Sequence, residues 1–343
     1  MSSVRCLLVS IVLSTGCVSV VDKSTATSVA PVVMASPDVG LGCASGEATS
    51  AVLSTIGKPA KGKTPHQAQV LTLMSAGMCV EPLAWDAELN RGVALRNGEG
   101  ARVADLLEVE RRYHATAALR YYAAWEHLTA AWSPAPGEGC PKLKSSKNED
   151  LLYVLGLSSG VLAVLHDQAA GGEVGVPLDV PRAVARAAAC LDNDQWWGVP
   201  RALQAAVWAT IPGAAPDGED PLAILADSAA KGDAAHLRLA RAFQVQTLAT
   251  LGEDDALQEA IAAHAAALAT PAHPRFRMLD RYAHLLIRHE SDKIWVAEAG
   301  HRTPGDHYGR FPGTAEDLDQ NDDLLDALLG PAEPAPEPTE DPE

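Results

Sequence analysis

PRAVARAAACLDND (181–194), PLAILADSAA (221–230) and DALQEAIAA (255–263) repeat one pattern within the stretch from Pro181 to Trp295. Small residues recur at i, i+3/i+4 and i+7. That spacing lines one helix face with side chains that let a second helix approach closely. Further helical segments lie between them, at 197–211 and 234–251, each ended by Gly or Pro. Ala183 and Ala223 are 40 residues apart, and Ala223 and Ala256 are 33 apart. A period of this size, built from helix–turn–helix units, predicts degenerate tetratricopeptide-like repeats. The chain is therefore expected to be all-α, an array of antiparallel helical hairpins.

Outward from this stretch, 102–132 predicts one long helix. Its stripe runs Val103, Leu106, Glu110, Tyr113, Ala117, Tyr121, Trp125, Leu128, Trp132, with Glu110 as a single charged interruption. Ser133 to Gly137, with two prolines, ends it. Residues 149–168 predict another helix, 66–73 a short one, and 274–295 a last one carrying Phe276, Leu279, Ala283 and Leu286.

The ends differ from the body. Residues 1–17 read as an export signal, with Arg5 followed by an apolar core and small residues before Cys17. Cys17 then becomes a lipidated first residue, as at a bacterial lipobox. The alternative is an ordinary secretory signal cleaved elsewhere. Residues 18–64 are rich in Ser, Thr, Ala, Val, Pro and Gly and read as a tether. Residues 65–299 form the expected helical repeat domain, and 300–343 an acidic C-terminal extension. Within it, 314–329 predicts a short amphipathic helix, and 331–343 alternates Pro with acids and should be extended. Eleven acidic and no basic residues follow Arg310, so most of the net charge of −17 sits there and not on the helical body. A chain of that charge is a poor nucleic-acid binder, because phosphate binding needs clustered Lys and Arg.

With Cys17 carrying lipid, Cys43, Cys79, Cys140 and Cys190 remain, an even number for an oxidising compartment. Three pairings are open. Sequence proximity favours Cys43–Cys79 and Cys140–Cys190, and buried free thiols are the alternative. The spacings match no zinc site, and no other metal or cofactor motif occurs. Gly156 to Gly160 matches the nucleophile elbow G-x-S-x-G around Ser158. Without the parallel strands such a hydrolase needs, it reads as the small-residue face of one helix, and no catalytic residue is expected. The aromatics are scarce, so Trp197, Trp208, Tyr122 and Trp125, with Arg201 one turn from Trp197, are the candidate ligand or partner contacts; the alternative is that they fill the core.

Four features resemble the T-component family of TRAP transporters, helical lipoproteins with degenerate tetratricopeptide-like repeats. They are the lipobox-like end at Cys17, the segment WGVPRALQAAVWATIP (197–212), the hairpin from Leu237 through Gly252 to Asp254, and the final segment from Pro274 to Trp295. Asp280 stands where the family tends to have Asn. The resemblance covers roughly 102–295. It implies a non-enzymatic, cofactor-free protein, exported and anchored by lipid, on the periplasmic side of the outer membrane, as a homo-oligomer (a trimer). Its partner would be the periplasmic solute-binding protein of the transporter, and it would offer a path or pocket to a small apolar ligand. A repeat scaffold serving another envelope complex is the alternative function.

Overall fold

The structure, a computed structural model, describes residues 20–56, 64–145 and 148–312. The export signal with Cys17, the acidic helix expected over 314–329 and the Pro-rich end lie outside the described residues. Among the described residues there are helices and no strand, so the fold is all-α.

In chain order the helices are α1 (Ala30–Ala35), entered through a π-helical turn at Thr25–Val29, then α2 (Val39–Ile56), α3 (His66–Gly77), α4 (Glu81–Arg96) and the long α5 (Gly100–Ala131). They continue as α6 (Glu149–Ala169), α7 (Val180–Ala188), α8 (Val199–Thr210), α9 (Pro221–Ala234), α10 (Leu239–Leu251), α11 (Asp254–Ala267) and α12 (Arg277–Ala299). Local chemistry sets the boundaries. Asp220 accepts hydrogen bonds from the backbone N–H groups of Leu222 and Ala223, with Pro221 occupying the first helical position. Gly252 and Gly300, both left-handed, close α10 and α12.

Successive helices pack on one another through small residues. α6 is long and apolar enough to cross a membrane by length and composition, yet nearly all of it is buried among neighbouring helices, so here it is the core helix of the fold. It lies against α5, α3, α7 and α8.

The tether expected over 18–64 is corrected: 20–35 and 39–56 are helical and pack on the body. Ala26, Ala30 and Met34 are buried, and α2 lies along α3. The small residues that read as a flexible linker are what this crossing requires. A Cβ on Gly46 would come within 2.6 Å of the Thr72 carbonyl oxygen, so only glycine lets the two backbones approach. The Cys43–Cys79 disulfide then joins α2 to the end of α3, and Cys140–Cys190 ties the loop after α5 to the end of α7. At the other end the body runs past 299. Residues 300–312 fold back, with Phe311 buried and the Trp295 indole N–H bonded to the Arg310 carbonyl at 3.0 Å.

The array also departs from an open solenoid, in which each repeat touches only its neighbours. α12 packs on α10 and α11 and returns to α1, α2 and α4. Arg277 caps the Ala35 carbonyl and Arg96 reaches the Ala297 carbonyl, so the last helix seals against the first layer.

Candidate functional site

Closure of the array by α12 encloses a cleft bounded by α4, α5, α6, α10 and α12. Its deepest group is Glu81, the first residue of α4 and fully buried. Oε2 of Glu81 accepts from the Tyr282 hydroxyl at 2.7 Å, and Oε1 lies 2.7 Å from Nε2 of His166. The Tyr121 and Tyr282 hydroxyls are 3.1 Å apart, and Nδ1 of His166 meets Nδ1 of His114 at 2.8 Å. One unbroken polar chain thus links α4, α5, α6 and α12.

A second set lies toward the opening. His289 bonds Glu88 at 2.8 Å and stacks on Trp85, Lys293 pairs with Glu290 at 2.8 Å, and Arg91 grips Glu110. Burial raises the Glu88 carboxyl, but the His289 hydrogen bond and the Lys293 charge outweigh it and hold the group down to about 2. Burial likewise lowers Lys293, and the Glu290 and Glu88 charges more than restore it. Burial, reinforced by His166, presses His114 down to about 4, so its ring is neutral at pH 7. Burial first, then the Glu81 charge, raises the Tyr121 and Tyr282 hydroxyls far above their ordinary value and keeps them protonated. Carboxylates therefore outnumber cations around the cleft.

An apolar groove of about 430 Å³ adjoins this cleft. Val161, Val164, Val207, Ile211 and Phe243 supply its walls, from α6, α8 and α10. Leu165, Gln246 and Thr250 line both spaces, so groove and cleft (about 250 Å³) meet at those three residues. A concave, mostly apolar wall with a few convergent polar groups is the usual form of a small-molecule site.

The residues singled out from sequence sit elsewhere. Trp197 is buried at positive φ, wedged edge-on against Phe276 (4.5 Å) and Trp196 (5.2 Å). Trp125 is buried against Gly160, and Tyr122 is half-buried beside the core. Arg201 lies over the half-buried Trp208 ring at 5.2 Å and pairs with Glu219. None of the five lines the groove or the cleft. Ser158 is buried inside α6, its hydroxyl bonded to the Val154 carbonyl, while Gly156 and Gly160 face Leu128 and Trp125. No strand-to-helix turn presents it.

Sequence reasoning missed Glu81, Glu88, His114, His166, His289 and Lys293, which come from four helices scattered over the chain. The one legible signal was Glu110, charged in the middle of an apolar stripe. Among the described residues, no three His, Cys, Asp or Glu side chains are grouped to hold a metal ion. No family model, curated protein or solved structure matches the chain.

Proposed function

We propose that this is a non-enzymatic, exported and lipid-anchored helical protein that acts as the T component of a TRAP-type uptake system. In this reading it binds the periplasmic solute-binding component and holds a small apolar ligand. The observation that carries the ligand half is the apolar groove between α6, α8 and α10, whose volume lies in the range of small-molecule pockets. The two disulfides support export, since such bonds persist in oxidising compartments. The partner half rests on the resemblance.

A pull-down from periplasmic extract with a lipid-free chain starting at Val18 tests the partner. Enrichment of a solute-binding protein, identified by mass spectrometry, is the expected result. Enrichment of other envelope proteins alone would transfer the protein to the scaffold reading. Native mass spectrometry of the same chain should show a bound small molecule, lost from a Val164→Trp variant that fills the groove.

A further inference from the structure

We propose that the cleft joined to the apolar groove is a head-group site for a hydrogen-bond-donating cation, so that the ligand is a small amphiphile with a primary amine at one end. The proposal rests on the ligand-binding reading of the groove and adds the chemistry of the head.

Three observations converge on it. The first is charge. Glu81, Glu88, Glu110 and Glu290 face the cleft, where Lys293 supplies the cation, and Arg91 is spent on both oxygens of Glu110. Glu88 is not neutralised in the same way. Its Oε2 accepts from His289, while its Oε1 lies 3.8 Å from Lys293, beyond hydrogen-bond length. An anionic oxygen is thus left with acceptor capacity at the cleft.

The second is an unpartnered group. His289 is more than nine-tenths buried, lines the cleft, and bonds Glu88 through Nε2. A neutral ring that donates from Nε2 carries a lone pair on Nδ1. That Nδ1 is buried and has no hydrogen-bond partner. Oε1 of Gln246, at the junction of cleft and groove, is also buried without a donor.

The third is proton accounting along the histidine pair. With His166 donating from Nε2 to Glu81, its Nδ1 accepts, so His114 donates from Nδ1 and keeps a lone pair on Nε2. His289, Gln246, His114 and Glu88 therefore all offer acceptors. A carboxylate cannot donate to them, an alcohol donates once, and an ammonium donates three times while meeting the surplus negative charge. The adjoining apolar walls take the alkyl body.

Octylamine, octanol and octanoate share one chain length and differ in the head, so titration calorimetry of the full chain with each at pH 7 separates the terms. Octylamine should bind at least ~10-fold more tightly than octanol, and octanoate most weakly. Glu88→Gln keeps the bond to His289 but removes the charge. It should cost octylamine ~10-fold and leave octanol unchanged, and Gln246→Met should weaken octylamine less. Octanoate binding as tightly as octylamine would overturn the head-group assignment and leave the apolar groove standing. Octylamine affinity indifferent to both substitutions would overturn the location. If none of the three binds, the proposal falls together with the apolar-ligand reading.

Discussion

Tyr282 donates its hydroxyl hydrogen to Oε2 of Glu81 at 2.7 Å across 201 residues of chain. Both residues are fully or almost fully buried, so the bond is made without competition from water. It joins the last long helix to the first residue of α4. Removing one partner would leave a buried carboxylate short of a donor and would also strand the Tyr121 hydroxyl. Tyr282→Phe should therefore destabilise the protein by about 1–3 kcal/mol. Urea unfolding of the two proteins reads this directly. An unchanged midpoint would mean that the array is closed by packing alone.

Arg238 and Asp280 form a buried ion pair. The Asp280 carboxylate accepts from the Arg238 guanidinium at 2.7 Å and from its backbone N–H at 3.0 Å, and the guanidinium also reaches the Ala267 and Thr270 carbonyls. The pair fixes the loop between α11 and α12 against the start of α10. Asp280→Ala leaves an uncompensated buried cation and should cost about 3–5 kcal/mol. Asp280→Asn retains acceptors and should cost less. Equal losses in the two variants, compared by thermal unfolding, would show that the charge contributes nothing beyond the hydrogen bonds.

The Cys140–Cys190 bridge closes a separation of 50 residues, and Cys43–Cys79 one of 36. Loop-closure entropy then assigns each about 3–4 kcal/mol through restriction of the unfolded chain. Serine replacement of either pair should lower the unfolding free energy measured in urea by a comparable amount, and mass measurement before and after reduction should register both bonds. Free thiols in the purified, unreduced chain starting at Val18 would refute the pairing.

Acid should weaken the fold earlier than carboxylate protonation alone would. Burial, then the charge of a neighbour, lowers His114 and His284 to about 4 and His264 to about 3. Unfolded histidine titrates near 6.5. As pH falls from 6.5 toward 4, the unfolded chain takes up protons that the native state refuses, so stability is lost across that window. Asp22 acts in the opposite sense, since burial raises it to about 6 and favours the native state on acidification. One carboxyl does not offset three rings. Stability at pH 4.5 should lie at least about 5 kcal/mol below that at pH 7. A flat profile in urea titrations between those values would show that these rings are not held neutral.

The helices were legible where small residues recur at helical spacing or where a stripe is long. The segments around Pro181, Pro221 and Asp255 and the stripe ending at Trp132 all became helices close to their expected bounds. α4 gave no such signal, because its polar residues face both the cleft and solvent and blur the period. The tether was misread for a related reason. Ala, Gly and Ser describe a flexible chain and a close helix crossing equally well, and only the presence of α3 beside Gly46 distinguishes them. Trp197 drew notice through the scarcity of aromatics, which reports size and not location.

By itself the sequence determined the helical class, the position of most helices and an even set of cysteines, since these follow from local periodicity, capping residues and counting. The tertiary structure decided that α12 returns to α4, and with that return Glu81 meets Tyr282 and Glu88 meets His289, each across 201 residues. Such pairs leave no local trace, because hydrogen bonds between buried polar groups depend on where helices cross and not on the spacing within any one of them.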